Sequence, residues 1–149
     1  MSLTDWQNLL PFLALLGTLA AIYFRYRSVQ KQLTIQNFSN YTQRYQAIIL
    51  NFPENINDQD FKLDTLSKAD RAKLMRYMRA YFDLCSEQLF LYRSGLLDKK
   101  IWAEWREGIF SAISKPAFRQ AWETVRTDTA YSRDFRQLVE DASAKRWQW

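Results

Sequence analysis

The sequence predicts an all-α fold, in which one N-terminal transmembrane helix is followed by a four- or five-helix cytoplasmic bundle. Only three Gly and three Pro occur in 149 residues, so the chain lacks the turn residues that many short strands require. Apolar residues recur at steps of three and four along most of the chain, which is typical of helices. Nineteen consecutive uncharged residues between Asp5 and Arg25 indicate a membrane span.

The uncharged run has the length and polarity of a single membrane crossing. Nineteen helical residues at about 1.5 Å each reach roughly 28 Å, close to the ~30 Å hydrocarbon core of a bilayer. Arg25, Arg27 and Lys31 follow the run, whereas a cleavable signal peptide has its basic residues first. We therefore expect the N-terminus outside the cell inner membrane and the rest of the chain in the cytoplasm. A buried core helix is the alternative, but residues 9–24 have no polar face apart from Thr18.

Interfacial residues are predicted at both ends of this run. Aromatic rings with a polar edge prefer the headgroup level, and basic residues beside them attract anionic lipid headgroups. The predicted membrane-interface residues are Trp6, Arg25, Tyr26, Arg27 and Lys31. The chain thus divides into residues 1–27, the N-terminal segment and transmembrane helix, and residues 28–149, the cytoplasmic helical domain.

One apolar stripe continues past the predicted span at helical spacing. Its members are Phe38, Tyr41, Tyr45, Ile48 and Phe52. Such a stripe predicts a helix that needs a partner. Packing on its own domain is one interpretation. A homomeric coiled coil is the other, although the stripe covers only two heptads.

Helix start and stop signals divide the remaining chain. Residues 53–66 are polar and begin with a proline, which predicts a loop. The predicted N-caps are Ser67, Asp98 and Ser132. Pro116 is expected in the first turn of a further helix, and Gly95 at the end of the longest one. This longest helix has apolar residues on most of its faces, so we predict that it lies at the centre of the bundle.

The composition argues against catalytic chemistry. Histidine is absent and Cys85 is the single cysteine, so the commonest general base and the Cys-based metal sites are missing. No Gly-rich phosphate loop, nucleophile elbow or zinc spacing occurs. Asp83 and Glu87 are expected to form surface ion pairs with Arg79 and Arg93 of the same helix. We therefore expect no catalytic residues, no cofactor, no metal and no nucleic acid partner.

The C-terminal tail AKRWQW combines basic and aromatic residues. Its candidate interaction residues are Lys145, Arg146, Trp147 and Trp149. This combination suits a membrane interface, where aromatic rings lie at the headgroup level and basic side chains contact the charged headgroups. Packing of the two Trp rings on the bundle is the alternative interpretation.

Capping and core signatures are concentrated in residues 75–141. They include the segment GLLDKKIWAEWREGIFSAISKPAFRQAWETVR, which is followed by YSRDFRQLVED. These segments resemble a family of uncharacterised bacterial proteins that have one N-terminal span and a small cytoplasmic helical domain of unknown function. The resemblance implies a shared fold, and it supplies no activity and no functional residues.

The function predicted from these features is that of a membrane-anchored helical interaction module, an adaptor, scaffold or regulator without catalytic chemistry of its own. Its expected partners are membrane lipid and either an unknown protein or a second copy of the chain. The alternative is a structural accessory subunit of a larger membrane protein complex. The two hypotheses differ in whether the chain stays bound to large partners permanently.

Overall fold

Five α-helices make up most of the computed structural model, which describes the backbone of residues 3–144 and the side chains of residues 11–144. The helices are α1 (Leu3–Ile49), α2 (Lys68–Arg93), α3 (Lys99–Ile113), α4 (Pro116–Asp128) and α5 (Arg133–Ser143). Two short 3-10 turns, Glu54–Asn57 and Leu63–Thr65, lie between α1 and α2. The predicted all-α helical bundle is therefore confirmed.

The chain divides into two compact units, Met1–Ser39 and Asn40–Trp149. Within the first unit, the described residues belong to α1 alone. The second unit contains the last ten residues of α1 and all of helices α2 to α5. The hydrophobic core lies in this second unit.

The predicted transmembrane helix is wrong. No helix in the described part of the chain is both long enough and apolar enough to cross a membrane. Along α1 the uninterrupted apolar sequence ends at Phe24. Arg25 and Arg27 then add two charges in the next turn. The boundary after residue 27 and the inner-membrane topology rested on this span, and the fold does not test them.

The predicted helix boundaries follow from local capping. At α2, α3 and α5, a side-chain oxygen accepts a hydrogen bond from a backbone N–H two or three residues further on. The capping residues are Ser67, Asp98 and Ser132. Pro116 is the first residue of α4, where a missing N–H costs nothing. Gly95 follows α2 with a φ of 71°, a left-handed conformation that glycine adopts without a steric penalty.

Helix α2, which was predicted at the centre of the bundle, contributes more buried residues than any other described helix. Its buried residues include Met78, Phe82, Leu84 and Cys85. Met78, Phe82 and Cys85 share one core with buried residues of the three later helices, which include Ile113, Val125, Phe135 and Val139. The polar segment that was predicted as a loop also contributes Ile56, Phe61 and Leu63 to this core. The Gln120 side chain holds that segment by accepting from the Leu63 N–H at 3.0 Å and donating to the Phe61 carbonyl at 3.4 Å.

The apolar stripe at the end of α1 packs on its own domain from Tyr41 onward. The Tyr41 ring lies 5.2 Å from the Trp105 ring, measured between centroids. Tyr45 lies 6.4 Å from Tyr81 in the same way. Of the two interpretations of this stripe, packing on the bundle is therefore correct for residues 41–52.

Candidate functional site

A partly open pocket of about 220 Å³ lies between the end of α1 and helices α2 and α3. We call it the Gln88 pocket. The residues that define it are Tyr41, Tyr45, Tyr81, Gln88, Trp105 and Gly108. Aromatic rings from all three helices form most of its wall. At Gly108, an added Cβ would meet no atom within 4 Å, so the pocket extends up to the α3 backbone.

Helical spacing brings one polar residue to the floor of this pocket. Tyr81, Cys85 and Gln88 follow one another at steps of four and three on α2, so they share a face. Gln88 is only 6% exposed. Its side chain makes no hydrogen bond to any residue that the structure describes. Because every fully buried side-chain N or O atom of the described residues has a hydrogen-bond partner, the Gln88 amide atoms are not fully buried. The Gln88 amide therefore faces the open space of the pocket.

A polar network fixes the Tyr41 side of the pocket. The Tyr41 hydroxyl donates to Glu87 Oε1 at 2.8 Å, and Arg44 Nη2 lies 2.8 Å from Glu87 Oε2. The Arg44 guanidinium carbon also lies 5.3 Å from the Tyr41 ring centroid. Burial, together with the hydrogen bond to Glu87, raises the pKa of Tyr41 to about 12. Glu87 and Arg44 thus hold the Tyr41 ring in one orientation against Trp105.

The pocket is electrically almost neutral. Among its described lining residues, Glu104 alone carries a formal charge at neutral pH. Burial raises the pKa of the Cys85 thiol to about 12 and raises the pKa of the Tyr81 hydroxyl well above its ordinary value. Both groups stay protonated at neutral pH, and a protonated thiol is a poor nucleophile. The pocket is thus suited to binding rather than to covalent chemistry.

The predicted membrane-interface residues fall on α1 without forming a site. The four with described side chains, all exposed, are Arg25, Tyr26, Arg27 and Lys31. The Arg27 guanidinium carbon lies 5.6 Å from the Tyr23 ring centroid. The side chain of Trp6 lies outside the described residues. The predicted tail residues Lys145, Arg146, Trp147 and Trp149 lie outside them as well.

A second candidate surface, which the sequence analysis missed, runs along α1. We call it the α1 seam, and it consists of Phe12, Leu15, Leu19, Ile22, Tyr26, Val29 and Leu33. Each of these side chains is 43–66% exposed. Their spacing alternates between three and four residues over three heptads, the pattern of a coiled-coil seam. The continuation of this spacing beyond Arg25 was the signal that could have found it.

The described carboxylates with a lowered pKa belong to ion pairs. Among the described side chains, no group of His, Cys, Asp and Glu could hold a metal ion. The lowered pKa of Glu87 and that of Asp128 are each caused first by a hydrogen bond from an arginine, Arg44 and Arg79 respectively. Such pairs are structural, since their carboxylates are kept ionised by a cation of the same domain.

Comparison with known proteins adds no relative. No protein-family model, no curated protein and no solved structure matches this chain. The resemblance to an uncharacterised bacterial family therefore stays a prediction.

Proposed function

We propose that the chain is a helical interaction module that binds another protein helix through the α1 seam and has no catalytic chemistry of its own. The observation that carries this proposal is the exposure of all seven seam residues. Burying a Leu or Ile side chain contributes roughly 1.5–3 kcal/mol, so seven exposed apolar residues in one row favour association. The buried, protonated Cys85 and the near-neutral pocket also support binding over catalysis.

Between residues 25 and 34, the positions around the seam favour a protein helix over lipid. Between residues 25 and 34, every position off the seam is polar or charged. The apolar surface there narrows to Tyr26, Val29 and Leu33. A coiled-coil partner covers only such a stripe, whereas lipid would surround the polar positions as well. The spacing continues without interruption through this stretch, so the partner helix follows the whole seam.

A second copy of the chain is the partner that the seam fits best. Alternating steps of three and four place Phe12, Leu19, Tyr26 and Leu33 at the first core position of the heptad, and Leu15, Ile22 and Val29 at the second. Identical seams interlock when core residues of one helix fill the holes of another. We therefore propose a homo-oligomer that is held together by the α1 seam.

Sedimentation equilibrium of the full chain tests this proposal. The native chain is expected to sediment as a multiple of 17.9 kDa. Ile22→Gln should shift the equilibrium toward the monomer, because it places an amide in the seam. Ile35→Gln is the matched control, since Ile35 lies off the seam and both isoleucines are 59% exposed. Equal effects of the two substitutions would contradict the seam.

Other partners give different results in the same experiment. If the native chain is monomeric at tens of micromolar and binds lipid vesicles, the partner of the seam is lipid rather than a protein. A native chain that is monomeric and binds no vesicles would indicate that the seam binds a different protein, as expected of an accessory subunit in a larger complex. Either monomeric result would overturn the homo-oligomer.

A further inference from the structure

We propose that the Gln88 pocket binds a small uncharged aromatic molecule of one or two rings that carries an N–H or O–H group. This inference goes beyond the interaction function, because it concerns a free small molecule and residues of the second unit only. Three properties of the pocket carry it: its size and aromatic wall, the Gln88 amide, and the lack of a cation.

The size and the wall select a flat apolar ligand. An apolar cavity of about 150 Å³ is large enough to bind benzene, so about 220 Å³ suits a molecule of one or two rings. The rings of Tyr41 and Tyr45 offer edges and faces for stacked or edge-to-face contacts. The Tyr41 ring is already held by its hydrogen bond to Glu87, so this wall is formed before a ligand arrives.

The Gln88 amide selects a ligand with one hydrogen-bonding group. Gln88 is 94% buried as a residue, and because no fully buried polar atom of the described side chains lacks a partner, its amide is the part that is reached from the open space of the pocket. An N–H or O–H group on the ligand can donate to the amide oxygen. A ligand without such a group would leave the amide without its hydrogen bond and would bind less tightly.

The charges of the pocket select against an anion. Glu104 is the one charged residue among the described lining residues, so no lysine or arginine is placed there to neutralise an acidic ligand. The negative faces of the aromatic rings add to this effect. A cation would lose its hydration in a mostly apolar pocket, while Glu104 itself stays exposed to water. An uncharged ligand avoids both costs.

Titration of the ¹⁵N-labelled full chain with indole tests the proposal by NMR. Gln88→Leu identifies the side-chain NH₂ signals of Gln88 by their loss. Indole is expected to shift these signals, and Gln88→Leu is expected to weaken indole binding about three- to tenfold, the usual range for one hydrogen bond. Indene, which has the same two-ring shape without the N–H, should bind both proteins equally. Indole binding that leaves the Gln88 signals unshifted would overturn the assignment.

A second variant tests the pocket from a different helix. Gly108→Leu places a side chain in the pocket where an added Cβ meets nothing within 4 Å, so the fold has room for it. This variant should lose the binding of both indole and indene. Undiminished binding of either probe would refute the site, and indole-3-acetate that binds as tightly as indole would refute the preference for an uncharged ligand. None of these residues belongs to the α1 seam, so a failure here is distinguishable from a failure of the proposed oligomer.

Discussion

Phe82→Ala is expected to destabilise the bundle by about 4 to 5 kcal/mol. Truncation of a buried Phe costs ~3–5 kcal/mol, and the cost rises with the cavity that remains. Phe82 lies in the middle of α2 and is 0% exposed. Its ring centroid lies 5.1 Å from that of Trp122 and 6.0 Å from that of Tyr81, so the substitution also removes two aromatic pairs. Large rings on both sides leave little freedom for the site to collapse, which places the cost in the upper half of the range.

Guanidinium unfolding of the full chain, followed by near-UV circular dichroism, measures this loss through the ordered aromatic rings. Phe90→Ala is the matched control, because Phe90 lies on the same helix and is 64% exposed. It should change the free energy of unfolding by no more than about 0.5 kcal/mol. A loss below ~1 kcal/mol for Phe82→Ala, or equal losses for the two variants, would refute the placement of Phe82 in the core.

Two further changes test particular sites. Gly108→Ala should raise the free energy of unfolding by about 0.4–1 kcal/mol in the same titration, because it removes glycine from the middle of α3 where a Cβ meets nothing within 4 Å. The hydrogen bond from Arg44 lowers the pKa of Glu87 below its ordinary 4.5, so its contribution to stability is complete above pH 4.5 and is lost as the pH falls below it. The native chain should therefore lose more stability than Glu87→Gln between about pH 5 and pH 3, and parallel acid curves would contradict the ion pair.

Local signals were sufficient for the helices of the bundle. Ser67, Asp98 and Ser132 cap helices because short polar side chains reach the first free N–H groups, and that chemistry needs only neighbouring residues. Gly95 and Pro116 act through their own backbone preferences in the same way. These elements were predictable because their causes lie within a few residues.

Pairings between distant residues were not predictable in this way. Arg79 was expected to pair with Asp83 on its own helix, but it pairs with Asp128 at the end of α4. Glu87 was expected to pair with Arg93, and it pairs with Arg44 of α1 instead. Spacing along one helix shows only which side chains are neighbours there. Partners from other helices depend on the assembled bundle.

The membrane span was overpredicted for a related reason. Hydropathy summed along the chain counts apolar residues without regard to the face on which they lie. Between residues 25 and 34 of α1, the exposed apolar residues are Tyr26, Val29 and Leu33, and the other positions are polar or charged. The direction of the side chains, rather than their average hydropathy, separates a seam from a span.

Gln88 offers the sharpest test of the link between stability and binding in this chain. Because its amide faces a partly open pocket and has no hydrogen bond to a described residue, a Leu there would break no hydrogen bond of the described fold and would bury apolar surface against Tyr81 and Cys85. Gln88→Leu should therefore leave the free energy of unfolding unchanged or raise it by up to about 1 kcal/mol, while it weakens indole binding. Guanidinium titration of the two proteins without ligand measures the difference. A destabilisation above ~1 kcal/mol would mean that the amide stabilises the fold itself, and the polar residue would then need no ligand to account for it.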